Sequence, residues 1–151
     1  MSDSKDRLTR QLAKAQGLTK LIGDAAAFRT AIEMVEIAAD SDAPVLITGE
    51  TGTGKELVAR ALHYLSDRAP APFVALNCGS LTDTLLVDEL FGHERGAFTD
   101  AHQGRVGLVA QADRGTLFLD EVDTLTPRGQ VALLRVLQDR SFRPLGSNVE
   151  R

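Results

Sequence analysis

The stretch from Pro44 to Glu56 constrains the fold most, because an apolar run leads into a glycine-rich turn that opens a helix. It reads P-V-L-I-T-G-E-T-G-T-G-K-E. Glycine allows backbone angles that a side chain would block, so successive amide N–H groups can close around phosphate oxygens. The pattern predicts a strand over Val45 to Ile47, a phosphate-binding loop, and a helix beginning near Lys55, whose ammonium can reach the outer phosphates.

The residues predicted to contact the nucleotide lie in this loop and in the first turn of the helix: Gly49, Glu50, Thr51, Gly52, Thr53, Gly54, Lys55, Glu56 and Leu57. The same glycine and lysine spacing arises by chance in loops, but the apolar run before it and the helical period after it favour nucleotide binding. The generic motif has Ser or Thr after the lysine to ligate Mg²⁺. Glu56 is a candidate metal ligand in that place, and as an acidic first-turn residue it also complements the positive N-terminus of the helix; both roles can hold.

A pair of carboxylates follows a second apolar run, Leu117 to Leu119. Ligands of a parallel nucleotide-binding sheet lie beyond the C-terminal ends of its strands. We therefore assign Asp120 to the metal and Glu121 to the attacking water. Taken alone, Asp-Glu at a strand end is more often a helix cap, and the phosphate loop upstream favours the catalytic interpretation.

The apolar runs at Val45 to Ile47, Phe73 to Leu76 and Leu117 to Leu119 do not alternate with polar residues, which is typical of strands covered on both faces. They predict an α/β fold in which a parallel sheet has helices on both faces, as three layers. The predicted helices are one capped by Asp24 with core positions Phe28, Ile32, Val35 and Ala39, the second half of Ser80 to Phe91 with Leu85, Leu86 and Leu90, a short one in Val106 to Ala112, and Pro127 to Leu137 with Val131, Leu134 and Leu137.

Composition excludes several classes of function. The 17 basic and 21 acidic residues leave a net charge of −4, so DNA binding by this segment is not expected. No apolar run approaches the ~18 residues that span a bilayer, and the polar start is not a signal peptide. The single cysteine, Cys78, excludes an internal disulfide and suits a reducing cytoplasm. His63 is predicted to be a packed or surface residue rather than a ligand, and Cys78 is predicted to be packed.

A polar, glycine-flanked segment from His93 to Arg105 predicts a loop with one aromatic residue, Phe98. Two interpretations remain open at this point. Phe98 either returns to the core and anchors the loop, or it is presented to a partner, since an exposed aromatic on a loop tip costs free energy unless something receives it.

Five blocks in order carry a resemblance to a known family: G-E-T-G-T-G-K-E from Gly49, F-V-A-L-N-C from Phe73, E-L-F-G-H-E-R-G-A-F-T from Glu89, G-T-L-F-L-D-E from Gly115 and L-L-R-V-L-Q from Leu133. Together they resemble the AAA+ ATPase domain of bacterial enhancer-binding activators, which remodel RNA polymerase carrying the sigma-54 factor. The resemblance covers residues 21–151, and residues 1–20 are interpreted as a linker or short helix. In this family an acidic residue after the phosphate-loop lysine is usual.

The resemblance implies ATP and Mg²⁺ as cofactors, with Ile22 and Gly23 against the adenine. Lys55 would contact the β- and γ-phosphates, and Asp120 with Glu121 would form the metal and water site. Asn77 resembles the switch residue that holds the catalytic glutamate by a hydrogen bond until the γ-phosphate rearranges the site. The residues Gly96, Ala97, Phe98, Thr99, Asp100 and Ala101 resemble the loop that contacts sigma-54 when ATP is bound.

Two departures from the family pattern shape the alternatives. Asp100 stands where the family has a glycine, which removes backbone freedom and adds a charge beside Phe98. The sensor strand, arginine fingers and helical lid of the family would lie beyond Arg151, as would the DNA-binding domain, and the whole protein is expected to self-associate into a ring. The leading hypothesis is the motor domain of a transcription activator. The alternatives are a nucleotide-dependent binding module that no longer hydrolyses ATP, and an AAA+ motor of another kind, which the block around Phe98 disfavours.

Overall fold

The structure is a computed structural model that describes residues 26–99, 101–139 and 141–149. The chain divides between Ala71 and Pro72 into two compact units, which are described one at a time. Several sequence predictions lie outside the described residues: the linker 1–20, the adenine contacts Ile22 and Gly23, the cap Asp24, and Asp100 in the loop. In the part of the chain that the structure describes, no helix is long and apolar enough to cross a membrane.

The first unit contains two packed helices, α1 (Ala26–Ala39) and α2 (Lys55–Leu65). Ile32 and Val35 of α1 form a buried cluster with Ala61 of α2. Partly buried side chains of α2 surround them: Val58, Leu62, Tyr64 and Leu65. The predicted helix before the phosphate loop is therefore confirmed, and its predicted core positions Ile32, Val35 and Ala39 are buried.

The strand predicted over Val45 to Ile47 is wrong for this structure, because the segment forms no regular secondary structure. The Val45 and Leu46 side chains are 48% and 76% exposed. A strand needs a neighbour to satisfy its backbone groups, and no strand lies among described residues 26–71. The apolar run identified a segment suited to a buried strand, but it did not supply the partner that such a strand requires.

The second unit is built on a parallel pair of strands, β1 (Phe73–Asn77) and β4 (Thr116–Asp120). Phe73 pairs with Thr116 at one end and Asn77 with Asp120 at the other. Phe73 also stacks on Phe118, with ring centroids 6.2 Å apart. The predicted parallel α/β arrangement is confirmed for these two apolar runs.

Helices and a small ribbon complete this unit: α3 (Asp83–Phe91), β2 (Gly92–His93), β3 (Arg105–Val106), α4 (Leu108–Gln111) and α5 (Pro127–Asp139), with 3₁₀ turns at Cys78–Ser80 and Val122–Thr124. The β2 and β3 strands are antiparallel. The buried core consists of Cys78, Leu86, Leu90, Phe91 and Leu125. Gly92 ends α3 at a φ of 72° that favours glycine. Leu85, a predicted core position of this helix, is 53% exposed and not a core residue.

The face of α5 that meets the core differs from the prediction. Val131, Leu134 and Leu137 are 54%, 48% and 48% exposed. The contacts to the core come instead from Ala132, Leu133 and Val136. Apolar residues occur on more than one side of this helix, so periodicity alone selected the wrong side. After α5, within residues 141–149, Leu145 makes a bridge to His93.

Candidate functional site

The predicted phosphate loop has the backbone that its glycines require. Gly52 and Gly54 adopt φ angles of 82° and 87°, in the left-handed region that side chains avoid. Thr53 closes the turn, since its backbone N–H and its hydroxyl both donate to the Glu50 carbonyl, at 3.3 and 2.7 Å. A side chain on Gly49 would place its Cβ 2.9 Å from Thr53 Oγ1. The loop is therefore compact and depends on glycine at these positions.

Lys55 begins α2 and returns over the loop. Its Nζ donates to the carbonyl oxygens of Gly49 and Glu50, at 3.0 and 2.9 Å. The first intrahelical bond in this turn runs from Val58 N–H to the Gly54 carbonyl, so the amides of Lys55, Glu56 and Leu57 precede it and have no intrahelical acceptor. The Lys55 ammonium and the positive N-terminal end of an 11-residue helix thus lie together. Both attract the negative charge of a phosphate group.

Glu56, the predicted metal ligand of this loop, is engaged along its own helix. Arg60, four residues later, donates to Glu56 Oε1 from Nε at 2.9 Å and from Nη2 at 2.6 Å. Such a pair stabilises the first turns of a helix modestly. The role of Glu56 in holding Mg²⁺ stays a prediction, and the observed pair favours its helix-stabilising interpretation.

The other predicted catalytic residues meet at one end of the β1 and β4 pair. Asn77 lies beside Asp120 in the strand register, and Glu121 follows directly. Asp120 Oδ1 accepts the Glu121 backbone N–H at 3.0 Å. The Glu121 side chain turns toward the end of β1, where its Oε2 would lie 2.2 Å from a Cβ placed on Gly79. These positions confirm that the two acids lie at the C-terminal end of the strands.

Two features of this strand end were missed by sequence reasoning. Glu121 adopts φ 54° and ψ 42°, a left-handed conformation that costs a residue other than glycine about 1–2 kcal/mol. The Thr124 hydroxyl and backbone N–H both donate to the Glu121 carbonyl, at 2.7 and 3.0 Å, and hold that turn. Gly79 leaves the space that the Glu121 carboxylate occupies, and nothing in the order of the residues indicated this.

The hydrogen bond expected between the Asn77 side chain and Glu121 is not formed among the described residues. The Asn77 Oδ1 nonetheless approaches the same Gly79 position, at 3.5 Å from the notional Cβ. Burial, and then the negative charges of Asp120 and Glu121, raise the pKa of the nearby Cys78 thiol. The two carboxylates therefore create a negative potential at this strand end, which a cation would relieve.

The carboxylate of Asp120, at the C-terminal end of β4, fits the ligand chemistry of Mg²⁺. No group of three His, Cys, Asp or Glu side chains with metal-binding spacing occurs in the described ranges. Mg²⁺ commonly takes one or two carboxylates and completes its shell with water and phosphate oxygens. Asp120 can supply such a carboxylate. The phosphate loop lies in the first unit and Asp120 in the second.

The predicted loop around Phe98 is closed by its own backbone. Gly96 N–H donates to the Ala101 carbonyl at 2.8 Å, and Ala101 N–H donates to the Phe98 carbonyl at 3.0 Å. The Phe98 side chain is 47% exposed, and its ring meets His93 edge to face at a centroid distance of 4.9 Å. One side of the ring is therefore supported by His93 and the other is exposed, and presentation of Phe98 to a partner stays a prediction.

Comparison with known proteins identifies a family for most of the chain. Residues 21–151 match the family model described as the sigma-54 interaction domain. The chain is 51% identical over 146 residues to the transcriptional regulator VasH of Vibrio cholerae serotype O1, across 97% of this chain and 27% of VasH. It is 53% identical over 128 residues to the transcriptional regulatory protein ZraR of Klebsiella oxytoca, across 85% of this chain and 29% of ZraR.

Solved structures show the same similarity. The crystal structure of NtrX from Brucella abortus in complex with ATP superposes with a TM-score of 0.79 at 34% identity, over 96% of this chain and 30% of the NtrX chain. The NtrX complex with ADP gives a TM-score of 0.76 at 34% identity, over 99% of this chain and 33% of the NtrX chain. The AAA+ α/β fold predicted from the motifs is confirmed, and the chain spans a third or less of the length of these proteins.

Proposed function

The chain belongs to the sigma-54 interaction domain family, and from this premise we propose that it binds and hydrolyses ATP within a transcription regulator acting on RNA polymerase that carries the sigma-54 factor. Hydrolysis is coupled to remodelling of that polymerase. The regulator works in the cytoplasm, self-associates into a ring, and binds DNA through a separate C-terminal domain.

One observation carries the proposal: the glycine turn, the Lys55 ammonium and the start of α2 converge on one place. Nothing in the packing of α1 against α2 requires a lysine there, because the contacts between these helices are apolar. Phosphate binding explains both the positive φ angles and the lysine. The nucleotide complexes of the similar protein NtrX support ATP as the ligand.

The residues divide the chemistry as follows in this proposal. The backbone amides of the loop and Lys55 hold the β- and γ-phosphates and reduce their mutual repulsion. Mg²⁺, when bound, neutralises charge on the phosphate oxygens, and Asp120 holds it. The Glu121 carboxylate orients the attacking water and accepts its proton. Thr124 fixes the Glu121 backbone by donating to its carbonyl. Asn77, which pairs with Asp120 at the adjacent strand end, senses in this proposal which nucleotide is bound.

The test is steady-state ATP turnover by the protein extended beyond Arg151, as its relatives are. Lys55→Ala should abolish nucleotide binding, measured as loss of the rise in melting temperature that Mg-ATP produces in the unsubstituted protein. Glu121→Gln should keep that rise and lose turnover by a factor of ~10² or more. Glu33→Gln, on the exposed side of α1, is the matched control and should change neither.

The results separate the proposal from its alternative. A protein that binds ATP in a Lys55-dependent manner, forms a ring and never turns over would be a nucleotide-dependent binding module. The observation that favours this alternative is the charge of Asp100 within the predicted partner loop. We expect Asp100→Gly to increase ATP-dependent capture of purified sigma-54. If neither the parent nor Asp100→Gly captures sigma-54, the proposed partner is wrong.

A further inference from the structure

We propose that His93 is a positioning residue that clamps the Phe98 loop onto α3 and so holds the Phe98 ring ready for its partner. The loop is taken as residues 94–99 and 101–104. The inference rests on the proposed function for the identity of the partner, sigma-54, and on the observed geometry for the clamp itself. Nothing in the nucleotide chemistry described above uses His93.

The two ring nitrogens of His93 reach opposite sides of the loop. Nδ1 lies 2.5 Å from Asp88 Oδ1 on α3, and Nε2 donates to the Gln103 carbonyl at 2.9 Å. The His93 and Asp88 side chains are only 11% and 13% exposed, so water competes poorly for these bonds. One imidazole therefore ties the far end of the loop to the helix that precedes its near end.

The same ring supports Phe98. The edge-to-face contact, with planes inclined at 63°, is a favoured geometry for aromatic pairs. Because χ1 and χ2 of His93 are set by its two hydrogen bonds, the surface that Phe98 rests on cannot rotate freely. A half-exposed aromatic held in one orientation loses less conformational entropy when a partner receives it.

Asp88 is itself held in place. Arg105, on β3 at the far end of the loop, has Nη1 3.6 Å from Asp88 Oδ2 and Nη2 2.7 Å from Glu89 Oε2. Burial of the pairing is partial at Arg105, whose side chain is 46% exposed. Asp88 thus meets His93 with one oxygen and Arg105 with the other. The far end of the loop is therefore held to α3 by two neighbouring carboxylates, with the shorter ion pair made by Glu89.

The first experiment measures the clamp without any partner. Backbone hydrogen–deuterium exchange, followed by mass spectrometry on the full-length protein, reports the amides of Gly96, Ala97 and Ala101. His93→Ala should speed their exchange about tenfold, the ratio expected for the loss of a hydrogen bond of ordinary strength. His93→Gln, whose amide can still donate to the Gln103 carbonyl, should restore part of the protection. His102→Ala, an exposed histidine of the same loop, is the matched control and should leave it unchanged.

A spectroscopic signal distinguishes positioning of Phe98 from general loosening. With 4-fluorophenylalanine at position 98, the ¹⁹F resonance should shift and narrow toward that of a free ring in His93→Ala, and should not move in His102→Ala. The melting temperature, measured in parallel, should fall modestly in His93→Ala, because Asp88 loses this partner, and should not change in His102→Ala. An unshifted resonance, or loop exchange equal in His93→Ala and the unsubstituted protein, overturns the clamp.

The second experiment adds purified sigma-54 to the full-length Glu121→Gln protein with Mg-ATP. Phe98→Ala should abolish capture, His93→Ala should weaken it about tenfold, and His93→Gln should recover part of it. If the unsubstituted loop captures no sigma-54 while the exchange and ¹⁹F results hold, the proposed partner fails and the clamp stands. If Phe98→Ala abolishes capture but His93→Ala binds as tightly as the parent, the positioning role of His93 is wrong.

Discussion

Gly107 is the point at which the ribbon that carries the Phe98 loop meets the end of α3, and we expect Gly107→Ala to be strongly destabilising. A Cβ at this position would lie 2.3 Å from the Phe91 carbonyl carbon, 2.4 Å from Gly92 N and 2.4 Å from the Leu90 carbonyl oxygen. All three are backbone atoms of one short segment. No rotation of a side chain can relieve the overlap, so β3 and α4 must move away from α3.

The magnitude follows from these distances. Ordinary van der Waals contact of a Cβ begins near 3.4 Å, so the overlap is about 1 Å with each of three atoms. Overpacking of this kind costs ~1–3 kcal/mol or more. Gly107 has φ −74°, which alanine adopts readily, so the reduced entropy of the unfolded chain returns ~0.4–1 kcal/mol. Because all three overlapping atoms belong to the backbone, the cost lies at the upper end of that range or above it, and we expect a net loss of about 2 kcal/mol or more.

Gly96→Ala separates steric overlap from backbone strain. Gly96 has φ 82° and no atom within 4 Å of a notional Cβ, so alanine there costs only the left-handed conformation, about 1 kcal/mol after the entropy gain. The assay is thermal unfolding of both variants, with amide exchange of residues 90–93 to localise the change. A Gly107→Ala protein that melts at or above the temperature of Gly96→Ala would refute the packing argument.

Three further predictions concern the buried residues of each unit. Leu90 is 2% exposed, so Leu90→Ala should lower the free energy of unfolding by ~2–5 kcal/mol in chemical denaturation. Leu85→Ala, on the exposed side of the same helix, should change it by no more than ~0.5 kcal/mol. Burial lowers the pKa of His63 below its ordinary value, so on acidification the unfolded chain takes up the proton before the folded one does. The free energy of unfolding should therefore be intact above pH ~6.5 and fall as the pH drops through the lowered folded pKa. A pH series that is flat for the parent and for His63→Asn alike would contradict this. Asp120→Asn removes one of the charges that raise the pKa of Cys78. The Cys78 thiol should therefore react faster with iodoacetamide at pH ~8, measured by mass spectrometry. Equal rates in the variant and the parent would show that burial alone protects the thiol.

Much of the candidate site could be predicted from the sequence, because it depends on the conformational preferences of individual residues. The turn around Gly52 and Gly54 needs positive φ angles, a property of the residue type, so the phosphate loop and the helix that begins at Lys55 follow without tertiary information. A parallel sheet containing Phe73–Asn77 and Thr116–Asp120 is also predicted, because unbroken apolar runs are typical of strands covered on both faces.

What only the tertiary structure decided involves contacts between residues distant in sequence. The run at Val45 lacks a strand to pair with in the first unit, and α5 meets the core through Leu133 and Val136 although Leu134 is equally apolar. The tie from His93 to both Asp88 and Gln103 likewise depends on where α3 ends and where the loop returns. Residue type determines which conformations a short segment can adopt, but burial and pairing depend on which surfaces meet, and those are set by the whole fold.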